Sequence, residues 1–326
     1  MSEYTIKKSN PMLRIVSYIV LGIWSIINLY PLFWMIMLSL KNNDQVTRTH
    51  KFGPPAGWPN EWHWENYTNP ELHIERIVTY FKNSVIVTGA AIAIALVAAM
   101  MASYVLMRFG WKAAGGVNKM FMLGITVPVQ VSLVPLLITA KYTGLMGTKL
   151  SLIIPYAAFA LSMAILISNG FMSNIPKELD EAAYIDGCSR YGVFFRVILP
   201  LMTPAISTVG IYSFLQCWNE LIIATTLVTK EEMRTLPIGI RMLVGTNKVD
   251  YGLIGAGITL ATIPMIIVYV FMSRKIQESF IAGAVKGGCI ETPDYILSRK
   301  LQPVAVWQPA FLFALTEDAI FHCIKS

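Results

Sequence analysis

Six windows of this chain contain no Asp, Glu, Lys or Arg: Ile15 to Leu40, Asn83 to Met107, Met120 to Ala140, Leu150 to Pro176, Val197 to Asn219 and Tyr251 to Ser273. Each reaches the roughly 20 residues that an α-helix needs to cross a hydrocarbon core. An unpaired peptide group in lipid is costly, and a helix satisfies its bonds within one segment. The windows therefore predict an all-α membrane protein with six transmembrane helices. Composition agrees, since 55% of the 326 residues are hydrophobic and only 14% are charged. The mean hydropathy of +0.56 lies outside what a soluble domain shows.

The first window is longer than a signal-peptide core. It carries "LYPLFWMIMLSL" where a small-residue cleavage site would stand, which marks a retained span. The net charge of +7 includes no basic run or basic aromatic stripe, so loop lysines near headgroups explain it better than nucleic acid. Basic residues balance across the predicted membrane, eleven on each side, but the acid-free loop "RFGWKAAGGVNK" concentrates them beside the termini. That density leans toward cytoplasmic termini.

Catalytic signatures are missing. There is no GxxxxGK[ST], HExxH or GxSxG, and the histidines lack ligand spacing. Cys188, Cys217, Cys289 and Cys323 are isolated and indicate neither a metal site nor a disulfide framework. The chain is expected to be no enzyme and to bind no cofactor or metal of its own. No period of a repeat architecture recurs.

Between the first two windows runs a long outer loop, "FGPPAGWPNEWHWENYTNP", followed by "ELHIERIVTYFKNS", which reads as an amphipathic interfacial helix. Trp58, Trp62, Trp64 and Tyr67 suit a headgroup belt, the favoured reading over contact with an external partner. In the third window "TVPVQVSLVP" predicts a break at Pro128 and Pro135 around Gln130. It reads equally as an ordinary kink or as the lining of a path. In the fifth, Gln216, Trp218, Asn219 and Glu220 cluster toward the outer end of a predicted continuous helix. An acid at that depth implies a water-filled path or interhelical hydrogen bonding. Gly252, Gly255 and Gly257 open the last window at a spacing that favours close helix packing.

The fourth and fifth windows are separated by "KELDEAAYIDG" (Lys177 to Gly187), a polar stretch with four acids. Pro176 suits a helix start, Ser173 or Asn174 a cap, and Gly187 a stop. Its acids oppose the positive end of the helix dipole. Ala182 and Ala183 would let another backbone approach, so a surface for docking another protein fits better than a plain solvated loop.

These residues resemble the permease subunits of ATP-binding-cassette importers, whose cytoplasmic loop carries EAA, three residues, Gly, nine residues, then Ile-x-Leu-Pro. Here the pattern is Glu181, Ala182, Ala183, Gly187, Val197, Leu199 and Pro200, with valine where isoleucine is usual. The stretches "WENYTN", "WNEL", "RTLPIGI" and "GAVKG" resemble the maltose-type carbohydrate branch. The resemblance runs from about Ile15 to Gly287. It implies a type I importer transmembrane domain over residues 15–287, with spans near 15–40, 83–107, 120–140, 150–172, 203–229 and 251–273 and a coupling loop at 173–200.

By that resemblance, ATPase coupling would fall to Glu178, Glu181, Ala182, Ala183, Asp186, Gly187, Leu199 and Pro200. Binding-protein contact would fall to Arg234, Thr235, Leu236 and Pro237. Implied partners are a cytoplasmic ATPase dimer holding ATP and magnesium, a second homologous permease, an extracytoplasmic sugar-binding protein and membrane lipid. The implied place is a bacterial inner membrane with residues 1–14 and the C-terminus inside. A permease for another solute, or less favourably an ion-coupled secondary transporter, stands as the alternative. Residues 288–326 fall outside the family pattern. Their longest uncharged window, Leu301 to Thr316, has 16 residues and two prolines, too short for a seventh span.

Overall fold

The computed structural model describes residues 11–49, 53–55, 62–69, 74–243 and 249–285. Trp58, residues 1–10 and the tail 288–326 lie outside the described residues. Helix α1 (Pro11–Ser39) is followed by a segment with a 3₁₀ turn at Trp64–Tyr67. Helix α2 (Ile74–Arg108) follows as one uninterrupted element. The expected interfacial helix is therefore, from Ile74 onward, the first turns of α2. No Gly or Pro stands between Ile74 and Thr88 to end it.

Helices α3 (Ala114–Thr126) and α4 (Val129–Tyr142) meet at 101°. Pro128 alone makes this bend. Val127 is extended, as the residue before a proline prefers to be. Pro135 lies inside α4 without breaking it, contrary to the two-proline expectation. Helix α5 (Leu150–Ser173) is straight enough to span alone. Then come the short α6 (Glu178–Ile185), α7 (Arg190–Val193), a π-helical turn at Phe194–Ile198 and α8 (Leu199–Leu201). The run Arg190–Leu201 meets α9 (Thr203–Trp218) at 71°. Helices α10 (Ile222–Leu227) and α11 (Leu236–Met242) precede α12 (Tyr251–Val285).

Among the described residues, four helices are long and apolar enough to cross a membrane unbroken, and the bent pairs raise the number to as many as six. The fifth predicted span, 203–229, is not continuous, because α9 ends at Trp218 and α10 begins at Ile222.

The centre of the bundle is the α2–α5 seam. Ala91, Ala95 and Ala99 recur every four residues on α2, opposite Ala160 and Ala164 on α5, all essentially inaccessible. Lipid supplies no hydrophobic drive between helices, so association rests on close packing, which small residues at this spacing allow. Helix α9 packs on both helices of the seam, α12 packs on α9, and α1 lies on α12. There Gly255 faces the α1 backbone. A Cβ added to it would sit 2.7 Å from the Ser39 amide nitrogen. Gly255 thus serves helix packing, the preferred reading for the glycines of the last window.

The "WENY" motif closes the C-terminal end of α1. Asn66 Nδ2 donates to the carbonyls of Ser39 and Lys41 at 2.8 and 2.9 Å. The His63 amide donates to the Leu40 carbonyl at 3.0 Å. Three carbonyls that a helix end leaves unpaired are thereby satisfied. Tyr67 adds a 2.7 Å hydroxyl contact to Ser39, while Trp64 remains exposed.

Candidate functional site

Helix α6 is built as a rigid projection. Its acids Glu178, Asp180 and Glu181 occupy the first turn, where the unpaired amides favour negative charge. Its end is a Schellman motif: Cys188 N donates to Ala183 O at 2.9 Å and Gly187 N to Tyr184 O at 3.0 Å. Gly187 takes φ +82°, which a side chain would strain. The expected caps are not used. Ser173 and Asn174 donate instead to Gly170 O, closing α5 behind them. They stand too early in the chain to reach α6, whose N-cap position is Lys177.

The two faces of α6 differ. Glu178, Glu181, Ala182, Tyr184 and Asp186 are exposed, and Ile185 is 87% exposed. Asp180 and Ala183 are buried, Ala183 among Met100, Tyr104, Val193 and Phe194. The expected alanine patch is therefore divided, with only Ala182 on the free side. Leu199 is half-buried against the same apolar cluster, and Pro200 is exposed.

Behind α6 stands the end of α2. Arg108 Nε lies 3.2 Å from Asp180 Oδ2, and its terminal nitrogen donates to Ile175 O at 2.8 Å. Both side chains of the ion pair are buried. Burial pushes the Asp180 carboxyl above the usual aspartate range, and the Arg108 charge opposes that rise without cancelling it. Tyr104 donates to Arg190 O at 3.3 Å, and the Arg190 guanidinium lies 5.2 Å from the centre of the Phe109 ring. From the sequence alone, Arg108 is only a topology signal and Asp180 only a partner of the helix dipole. The alternation of Asp180 and Ala183 against Glu181 and Tyr184 around one helix was the available signal.

Toward the N-terminal end of α2, Arg234 to Pro237 is anchored on that helix. Asn83 donates to the carbonyls of Glu232 and Arg234 at 2.6 and 3.0 Å, and Leu236 N donates to Ser84 Oγ at 2.8 Å. Glu231 pairs with Arg76 at 2.8 Å and accepts from the Tyr80 hydroxyl at 3.2 Å. Thr235 and Leu236 are consequently 3% and 1% exposed, so neither offers a surface to a partner, contrary to expectation. Arg234 and Pro237 are half-buried.

The expected path residues are not gathered into one site. Gln130 is exposed in the first turn after the α3–α4 bend, and Gln216 is half-buried in α9. Trp218 and Asn219 border an open cavity of about 350 Å³ that Leu236, Pro237, Arg241 and Thr262 also line. Trp218 is held there by stacking on Phe214 at 5.3 Å and by an edge contact with Phe81 at 5.8 Å.

Glu220 is committed elsewhere. It is not on a continuous helix, as was expected, but in the gap after α9. Its carboxylate accepts from Ile223 N at 2.8 Å, Ala224 N at 3.0 Å and the Tyr156 hydroxyl at 3.0 Å. Those amides would otherwise bond to the carbonyls of residues 219 and 220 in a continuing helix. The side chain replaces those carbonyls, which is why the helix can stop and restart.

Residues 91–280 match the family model described as "Binding-protein-dependent transport system inner membrane component". The chain is 36% identical over 258 residues to the probable ABC transporter permease protein YurM of Bacillus subtilis, covering 79% of this chain and 84% of that one. It is 31% identical to the diacetylchitobiose uptake system permease protein NgcG of Streptomyces coelicolor, covering 83% and 88%. It is likewise 31% identical to the trehalose/maltose transport system permease protein MalG of Thermococcus litoralis, covering 81% and 93%. A chain in the crystal structure of a bacterial ABC transporter involved in the import of the acidic polysaccharide alginate shares its fold, with TM-score 0.70 and 20% identity over 83% of this chain and 98% of that chain. The helices thus form a type I ABC importer transmembrane domain, and the chain belongs to the family of inner membrane permease components of binding-protein-dependent transport systems.

Proposed function

We propose that this chain is the permease subunit of an ATP-driven, binding-protein-dependent importer of carbohydrates, with α6 as the docking element for a separate cytoplasmic ATPase. The observation that carries the docking reading is the two-faced α6. Its outer face presents Glu178, Glu181, Tyr184 and Ile185, while Asp180 and Ala183 root it in the bundle. An exposed isoleucine beside acids, on a helix stopped at both ends, is suited to insertion into a groove of another protein.

In this reading ATP and magnesium belong to that ATPase dimer, and α6 and both termini face the cytoplasm of an inner membrane. A second homologous permease completes the path, and an external sugar-binding protein delivers the solute to the side of α11. Of the residues expected to meet that protein, Arg234 and Pro237 retain partial exposure. Trp218 and Asn219, at the cavity under α11, remain the candidates for the solute path. Relatives named for diacetylchitobiose and for trehalose and maltose support a carbohydrate of two or more units. An ion-coupled secondary transporter loses its main support, because Glu220 is engaged by two amides and a tyrosine.

The test is uptake of labelled maltose, trehalose and diacetylchitobiose by proteoliposomes holding the assembled complex, with ATP inside. Glu181→Lys is expected to abolish uptake and release the ATPase while leaving the permease in the membrane. Wild-type uptake by that variant would sink the docking assignment. Failure of all three sugars with an active ATPase would point to another solute.

A further inference from the structure

Helix α6 is covalently continuous with α5 on one side and, through α7 and α8, with α9 on the other. Its strongest side-chain attachments nevertheless go to a third helix. The last turns of α2 hold all three parts of the loop. Arg108 binds Ile175 before α6 and Asp180 on it. Tyr104 binds the carbonyl of Arg190 after it and packs its ring 5.0 Å from Phe194. Phe109 lies under the Arg190 guanidinium and 5.5 Å from Tyr104.

These contacts differ in kind from ordinary loop packing. A buried pair of opposite charges loses much of its energy if one partner is withdrawn, because the other is left buried and uncompensated. The loop is therefore hard to displace from α2 without displacing α2 itself. Along its length α2 then forms the alanine seam with α5, and at its far end Tyr80, Asn83 and Ser84 hold residues 231–236. One helix thus carries fixed polar anchors at both faces of the membrane.

We infer that Arg108 and Asp180 are positioning residues for energy coupling, and that α2 is the strut carrying movement of the docking helix to the outer segment at residues 231–236. This rests on the docking reading of α6. The requirement is that the two ends interact differently in the two transport states. A rigid 35-residue helix fixed to a segment at each end meets it by moving both segments together.

The test uses the whole complex in proteoliposomes and compares ATP hydrolysis with and without the external binding protein and sugar. Arg108→Gln and Asp180→Asn are each expected to lower the stimulated rate at least tenfold while ATPase stoichiometry and the unstimulated rate stay within twofold. The double variant should lose no more than either single one, and the exchange Arg108→Asp with Asp180→Arg should restore at least a third of the stimulation. Losses that multiply in the double variant, or full stimulation in both single variants, would overturn the inference. If the Arg108 variant fails to assemble, Tyr104→Phe carries the test, since it deletes only the hydroxyl bound to Arg190. A stimulated rate left unchanged by it overturns the strut. Failure of the docking reading is read separately, by Glu181→Lys retaining both ATPase and stimulation.

Discussion

Tyr156 donates its hydroxyl to Glu220 Oε2 at 3.0 Å, joining the first turns of α5 to the gap between α9 and α10. The same carboxylate holds the amides of Ile223 and Ala224, so one side chain fixes the restart of a helix and its distance from a neighbour. Ile223 and Ala224 are essentially inaccessible, which makes these bonds hard to replace by water.

Glu220→Ala should leave two amides without acceptors, at a cost of about 1–3 kcal/mol for each, and leave the Tyr156 hydroxyl only the backbone carbonyl of residue 220, 3.4 Å away. Tyr156→Phe removes a single donor and should cost about 1 kcal/mol. Thermal unfolding of the purified complex in detergent checks the order. A Tyr156→Phe variant as unstable as Glu220→Ala would show that the amides contribute nothing.

Asn66 faces two carbonyls at the end of α1, so replacing it with an acceptor should be worse than removing it. Asn66→Asp is expected to lower the unfolding midpoint more than Asn66→Ala, since a carboxylate would point at the Ser39 and Lys41 oxygens. Midpoints measured at neutral pH test this ordering, and the reverse order would mean that the asparagine is not seated as described.

Gly255→Val should separate α12 from α1, because its Cβ has no room beside the Ser39 and Leu38 backbones, at 2.7 and 2.9 Å. Gly22→Ala, with nothing within 4 Å, should be tolerated. Protease accessibility of α1 in membrane vesicles distinguishes them. Equal protection in the two variants would contradict the close packing.

The raised carboxyl of Asp180 carries a pH signature of definite sign. The folded loop binds that proton more tightly than the unfolded chain, so this group adds stability as pH falls from above its raised value toward the ordinary aspartate range. That gain is complete below the ordinary range and lost as pH rises through the raised value. Relative to Asp180→Asn, the wild-type unfolding midpoint should therefore rise as the solution is acidified through that window. A difference that is constant with pH would remove the assignment.

Helix existence was legible from the charge-free windows, and α6 from its acids and its Gly187 stop. The side-chain duties were less so. Ala182 and Ala183 look alike in the chain, yet one is free and one buried, because adjacent residues on a helix point 100° apart. Thr235 and Leu236 looked like an outer contact and are instead covered by α2, through Asn83 and Ser84 far away in sequence.

By itself the sequence determined the solvent and the class of fold, because a charge-free run of bilayer length has one way to satisfy its backbone in lipid. It also determined where helices stop, since Pro128 and Gly187 act through their own covalent geometry. Only the tertiary structure decided which polar groups meet. Arg108 and Asp180 stand 72 positions apart and Tyr156 and Glu220 stand 64 apart, and their pairing depends on which helices pack side by side. Local periodicity carries no information on that choice, which is set by the small-residue seams and the glycine contacts between helices.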